Sequence, residues 1–226
     1  DPLFVHPDVR RMLMDGKAVV EGLRALCLWG ALQVDLAHAA ETEEERQQAD
    51  DLVSLLTPVI KGYGTDKGFE VAVNAQQVFG GHGYIEEQGM SQYVRDARIT
   101  MIYEGANGVQ ALDLVGRKLG KDGGRAVMAF FNEVGGALKA AASDADLAFL
   151  VKPLAKSAGE LQQATMWFMQ NAMAKPDNAG AGATDYMHLF GLVSLGYMWL
   201  KIAQAAQAKL KAGADERMSA KLVTAR

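Results

Sequence analysis

Several things are scarce in this sequence, and each scarcity excludes something. Cys27 is the only cysteine, so no disulfide can form within the chain. It falls in an apolar helical row, which favours a buried thiol over a reactive one. The absence of an internal disulfide is compatible with a cytoplasmic setting. Basic residues do not dominate: 23 Lys and Arg face 27 Asp and Glu, for a net charge of −4 and a pI of about 5.6. No basic surface for nucleic acid is evident. His82 has no partner at metal-ligand spacing. The most apolar run, Leu189 to Ile202, is broken by Gly191, Ser194, Gly196 and Lys201. It is shorter than the ~20 residues a membrane span requires, and no secretory leader is recognisable. Period-two alternation and internal repeats are both missing. The chain opens at Asp1-Pro2 without an initiator Met and closes at Lys221–Arg226 without a helix stop, the pattern expected of a piece of a longer protein.

What the chain does have is helical periodicity and enough apolar residues, half of the total, for a sizeable core. His6-Pro7-Asp8 opens a first helix, with Pro7 suited to an early position. Val9, Leu13, Gly16, Val20, Leu23, Cys27, Gly30, Val34 and Ala37 then recur in steps of four and three, the mark of a packed seam. Leu26, Trp29 and Leu36 make the helix apolar on a second side, predicting burial between neighbours. The acidic stretch Glu41–Gln48 reads as a solvated loop leading to a short helix that reaches Leu56. Thr57-Pro58 reads as an N-cap and first helical position for another helix running to Phe79 and stopping at Gly80-Gly81. Ser91–Thr100 reads as a short helix and Asn107–Leu119 as another.

Lys121-Asp122-Gly123-Gly124 is the best internal boundary, dividing the chain into 1–120 and 121–226. Past it, Arg125–Ala142 is a helix, and Asp146 to about Lys175 is a second with Leu147, Leu150, Val151, Leu154, Ala158, Leu161, Thr165, Phe168 and Ala172 on one face. Pro153 falls in its first turns. Pro176–Thr184 reads as a Gly/Ala/Asn loop, Asp185–Lys211 as a third helix apolar on most sides, and a fourth begins from Asp215. The fold class is all-α and bundle-like, with a second helical part as an extension.

The chemistry-bearing stretch is Arg95-Asp96-Ala97-Arg98-Ile99-Thr100-Met101-Ile102-Tyr103-Glu104-Gly105. Glu104 stands at the entrance to the Asn107 helix and is followed by Gly105, where a ligand can approach the backbone. Free N–H groups at a helix entrance can bind a carbonyl or an anion. Two readings follow from these residues: a general base beside an oxygen-binding N–H, or a surface acid favoured by the helix dipole. Upstream, Gly80-Gly81-His82-Gly83 is not a dinucleotide loop, because it follows a helix and lacks a third glycine at the right spacing.

Taken together, Gln77…Gly80-Gly81-His82-Gly83-Tyr84…Arg95-Asp96-Ala97-Arg98-Ile99…Ile102-Tyr103-Glu104-Gly105 resembles the C-terminal helical domain of the acyl-CoA dehydrogenase family in order, spacing and residue type. The resemblance extends more weakly over Val9–Leu119, and the residues beyond look like the C-terminal extension of a bacterial subgroup. It implies FAD-dependent formation of a Cα–Cβ double bond in an acyl-CoA thioester, with Glu104 at the position of the base that removes the α-proton. The family's thioester oxygen accepts hydrogen bonds from that glutamate's N–H and from a flavin ribityl hydroxyl. Gln77 and Gly81 match the family's flavin contact with a neighbouring subunit, and Gly105 matches the glycine after the base. The resemblance also implies a homo-oligomer, and an electron-transfer flavoprotein as the type of electron acceptor. Two positions depart from the pattern. Ala106 and Gly108 stand where many members carry Thr and Gln that can contact flavin.

In the family, an α-helical domain and a β-domain that covers the flavin precede this region, so the chain by itself is expected to be inactive. A helical interaction module without chemistry and a related flavin oxidase are the alternatives. Nothing after Gly120 carries a catalytic constellation, and assembly or a substrate lid are the roles open to that extension.

Overall fold

The computed structural model describes residues 2–213 and 216–225. Among them there are nine α-helices and no strand, as the periodicities predict. The first, α1 (Pro7–Ala39), starts with proline in its first turn and lies antiparallel to α2 (Glu43–Val78) across a short connection.

The start of α2 differs from the sequence expectation. Glu41–Gln48 is not a loop beyond its first two residues, and no new helix begins at Thr57-Pro58. The Thr42 hydroxyl accepts from the Glu45 N–H at 3.2 Å while the Thr42 N–H donates to the Glu45 carboxylate at 3.2 Å. This reciprocal cap satisfies two otherwise orphaned donors and launches the helix at once. The helix then runs through Pro58, which is buried against the core, and the Thr57 hydroxyl donates to the Val53 carbonyl at 2.7 Å. A proline inside a helix costs one hydrogen bond. Burial of Leu52, Leu55, Leu56, Val59 and Tyr63 around it outweighs that loss.

After α2 come the single turn α3 (Gly81–Tyr84), then α4 (Met90–Thr100) and α5 (Asn107–Asp113). The Asn107–Leu119 stretch is not one regular helix, because α5 widens into a π turn over Leu114–Lys118. The Lys121–Gly124 turn carries positive φ at Asp122, Gly123 and Gly124 and leads into α6 (Arg125–Ala141). The Arg125 guanidinium makes two hydrogen bonds to the buried Asp51 carboxylate, at 2.5 and 3.0 Å, and so fastens α6 to α2.

The remaining helices are α7 (Ala148–Asn171), α8 (Pro176–Lys211) and α9 (Glu216–Ala225). On α7 the buried residues Leu154, Leu161, Thr165 and Phe168 lie on the face that the sequence pattern marks out. The Pro176–Thr184 segment is not a loop. Pro176 starts α8, and the small residues Ala179 and Ala183 are buried, with Gly182 close enough to α7 that a methyl there would touch the Phe168 ring at 3.4 Å. Glycine and alanine serve close helix approach here. Asp215, the expected start of the last helix, lies outside the described residues.

Helix α8 is the centre of the molecule, with neighbours α1, α2, α5, α6, α7 and α9. Met187, Phe190, Val193, Tyr197, Leu200 and Ala203 join Leu26, Leu55, Tyr63, Leu114 and Phe130 in one continuous core. By length and composition α8 could cross a membrane, but 61% of its most apolar window is buried within the protein, as a core helix requires. The α2–α8 contact is especially close. An added methyl at Gly191 would sit 2.2 Å from the buried Tyr63 ring, and one at Gly62 would sit 2.3 Å from the Met187 sulfur. Gly191→Ala is therefore expected to destabilise the fold by about 1–3 kcal/mol or more. Gly68→Ala, on the same α2 but facing open space, should leave the melting temperature unchanged or slightly raised. Thermal melts of the two variants check this.

Helix α1 is less enclosed than its apolar seam predicts. Only Gly22, Leu26 and Gln33 are buried, whereas Leu13, Val20, Leu28, Leu32 and Val34 are exposed. The reason is that α2, α8 and α9 cover one side only. Cys27 is likewise exposed, not buried, although partial shielding of its sulfur raises the thiol pKa and keeps it a poor nucleophile.

Candidate active site

The site is built on a polar face of α2 in an otherwise apolar surrounding. Lys61 and Thr65 lie one turn apart on it, with Asp66 at its edge beside Thr65, and all three reach Asn107. Opposite them, α5 begins with Asn107, which is 8% exposed. Its side-chain amide donates to Asp66 Oδ1 at 2.7 Å, to Thr65 Oγ1 at 2.9 Å and to the Gly62 carbonyl at 3.0 Å. Its Oδ1 accepts from Lys61 Nζ at 2.8 Å. An ammonium on one side and a carboxylate on the other fix which way the amide points. Its buried polar atoms are all satisfied.

Lys61 then reaches the turn itself, donating to the Gly105 carbonyl at 2.6 Å. The Asn107 N–H donates to the Met101 carbonyl at 3.1 Å and closes the turn from the other end. Gln110 adds two long contacts of 3.4 Å to the Glu104 and Gly105 carbonyls. Gly105 has φ +87°, a conformation that favours glycine, and a Cβ there would have to displace the Gln110 amide 2.7 Å away.

Glu104 sits on this held turn with φ +52°, in the left-handed region that side chains seldom adopt. Such a conformation costs of order 1–3 kcal/mol and persists where the surroundings impose it. Neither the Glu104 carboxylate nor its N–H has a hydrogen-bond partner among the described residues, and the side chain is exposed. The residue lies two positions ahead of the Ala106 cap, outside the first turn of α5. Glu104 is therefore at the entrance to α5 and not a residue of its first turn.

Gln77 and Gly81 lie elsewhere, at the far end of α2 and the start of α3. Sixteen residues separate Lys61 from Gln77 along one helix, a rise of ~24 Å. Within one chain they do not meet Glu104. Gln77 is exposed, and at both Gly80 (φ +59°) and Gly81 an added methyl would enter open space. Gly83 is different: a methyl there would strike the Gln76 carbonyl at 2.3 Å, and the Gln76 amide donates to the Gly83 carbonyl at 3.0 Å.

Sequence reasoning did not single out Lys61, Thr65, Asp66 or Asn107. Their signal is a lysine, threonine and aspartate on one side of a helix whose neighbours are glycine and tyrosine. It also missed His188, whose Nε2 lies 2.7 Å from Asp66 Oδ2 and whose ring stands edge-on to Tyr63 at 5.5 Å.

Comparison with known proteins matches this architecture. Residues 1–119 fit the family model for the acyl-CoA dehydrogenase C-terminal domain, and residues 130–226 fit that for an acetyl-CoA dehydrogenase C-terminal-like region. Over 99% of its length the chain is 38% identical to 3-methylmercaptopropionyl-CoA dehydrogenase of Ruegeria pomeroyi, covering 38% of that protein. It is 33% identical to the broad-specificity linear acyl-CoA dehydrogenase FadE5 of Mycobacterium tuberculosis, with 94% of this chain and 36% of that one aligned. The chain thus spans little more than a third of the length of these relatives. Among solved structures, Caenorhabditis elegans ACDH-11, crystallised with C11-CoA, has the same fold over 92% of this chain and 33% of its own, with a TM-score of 0.73 at 20% identity. From its sequence and its helical fold, the chain belongs to the acyl-CoA dehydrogenase family.

Proposed function

We propose that this chain is part of an FAD-dependent acyl-CoA dehydrogenase in which Glu104 removes the α-proton of an acyl-CoA thioester. The observation that carries the reading is the turn: a glutamate held in a strained backbone conformation, its carboxylate and its N–H both unengaged, on a loop clamped from below by Lys61 and Asn107. A non-catalytic module gains nothing from that strain.

The chemistry follows from the two free groups. A thioester α-proton is weakly acidic, so its removal needs a base and a donor for the oxygen on which charge collects. The Glu104 carboxylate takes the proton. The Glu104 N–H donates to the thioester oxygen. Gly105, without a side chain, leaves room for the Gln110 amide beside the turn. Exclusion of water around the carboxylate strengthens it as a base. Bound FAD supplies the acceptor for the hydride that leaves Cβ.

The residues present fit a flavin contact at a polar rim. Gln77 offers an exposed amide beside the open backbone of Gly80 and Gly81. The separation of Gln77 and Gly81 from Glu104 accords with their serving the flavin of a neighbouring subunit in a homo-oligomer. Gly105 belongs to the rim nearest the base. Ala106 and Gly108 offer backbone groups alone. We take Lys121–Gly124 as the joint between the catalytic helical domain, 1–120, and the extension, 121–226. An electron-transfer flavoprotein is the kind of partner that would collect the electrons.

A panel of acyl-CoA thioesters, offered to the full-length enzyme with an artificial electron acceptor, tests the reading. Acyl-CoA-dependent reduction of the acceptor is expected for at least one chain type. A flavin-loaded enzyme inert toward the whole panel would contradict it.

A further inference from the structure

We propose that His188, in the extension, is a positioning residue for Glu104. The inference rests on the reading of Glu104 as the base. The connection is a continuous set of hydrogen bonds. His188 Nε2 lies 2.7 Å from Asp66 Oδ2 and, facing a carboxylate, carries the hydrogen. Asp66 Oδ1 accepts from the Asn107 amide at 2.7 Å. Asn107 Oδ1 accepts from Lys61 at 2.8 Å, and Lys61 donates to the Gly105 carbonyl at 2.6 Å. Gly105 is the residue after the base. The set crosses from α8 through α2 to the turn, and His188 and Asp66 are 122 residues apart in sequence.

Three features suit this set to fixing a position. It is shielded: Asn107 is buried, and the Asp66 and His188 side chains are only 15% and 29% exposed. Its outer end is fixed, because the His188 ring stands edge-on to buried Tyr63 and flanking Met187 and Gly191 pack directly on Gly62 and Tyr63. Its charges are arranged so that one change is felt at the other end. Asp66 has two oxygens, one turned to His188 and one to Asn107. Without the histidine, Oδ2 is left short of a donor in a partly buried place, and the available donors are the Asn107 amide and the Lys61 ammonium. Either one turning toward Asp66 loosens the hold on Gly105 and lets Glu104 relax from its left-handed conformation. The extension thereby gains a role that is neither assembly nor a lid: it completes the support of the catalytic turn.

The test uses the full-length holoenzyme and five variants. His188→Ala is expected to lower kcat by about tenfold to a hundredfold, the scale of a small misplacement of a reacting group. KM for acyl-CoA and flavin content should stay near those of the parent, and the kinetic isotope effect with α-deuterated acyl-CoA should rise as proton removal becomes slower. His188→Gln, whose amide can donate to Asp66, should recover most of the rate. Asp66→Asn should lower kcat similarly, and the double variant Asp66→Asn/His188→Ala should be no worse than the more affected single one, as expected for groups acting as one unit. An unchanged kcat in His188→Ala, a loss that follows flavin content, failure of glutamine to rescue, or additive losses would each overturn the proposal. Glu104→Gln separates the two levels. If it is inactive while His188→Ala works at full rate, positioning by His188 is wrong and the base stands. If it turns over normally, both are wrong.

Discussion

In the full-length enzyme, Glu104→Gln is expected to lower dehydrogenation by about two to four orders of magnitude, the usual contribution of a positioned general base. Acyl-CoA binding and flavin content should be retained. Glutamine keeps the shape of the side chain and the backbone N–H, so the oxygen donor survives, but a neutral amide cannot accept the α-proton. The structure adds a second expectation. Because Glu104 sits at φ +52°, Glu104→Gly should raise stability by about 1 kcal/mol by removing the backbone strain. Loss of turnover together with a higher melting temperature is the signature of a residue kept for chemistry at the expense of the fold. Normal turnover in Glu104→Gln would mean that the base lies elsewhere. A drop in stability in Glu104→Gly would mean that the glutamate side chain supports the turn instead of burdening it.

The helices were legible wherever burial has one direction. On α7, Leu154, Leu161, Thr165 and Phe168 announce the packed face, and they are buried in the structure. The errors lie where local residues read two ways. Thr57-Pro58 looks like a helix start, yet tertiary burial of Pro58 carries α2 through it. Thr42 and Glu45 hold the true start, although the acidic run around them reads as solvated. Pro176 obeys the rule for a first helical position, but the glycines and alanines after it read as a loop when they serve close packing. At the site, Glu104 and Gly105 could be found because they are adjacent. The groups that hold them could not. Asn107 looks like any polar residue at a helix start, and its role appears only when α2 brings Lys61 and Asp66 beside it. His188 in an apolar helix carries no pattern at all, since its partner is set by the packing of α8 on α2.

The 226-residue chain on its own is expected to take up no stoichiometric FAD and to show no acyl-CoA turnover. Three features of the site support this. First, the Glu104 carboxylate is exposed, and water beside it removes both the strengthening of the base and the strengthening of the N–H donor that a dry site provides. Second, Ile99, Ile102, Tyr103, Val109 and Leu112 around the turn are each about half exposed, an apolar surround left open by the described residues. Third, the residues that resemble flavin contacts, Gln77 and Gly81, lie on the far part of α2 and suit a flavin held by another subunit. Family resemblance puts most of the flavin enclosure in a β-domain, so the few contacts here must meet an association cost of ~4–15 kcal/mol unaided. The uncovered surfaces, including Leu28, Leu32 and Val34 on α1, should instead drive self-association. Purified chain mixed with FAD and freed of excess should show no flavin absorbance band, give no turnover with an artificial acceptor, and run larger than a monomer in size-exclusion chromatography. A full flavin band with turnover would mean that these residues form a complete enzyme and that the groups around Glu104 need no further cover.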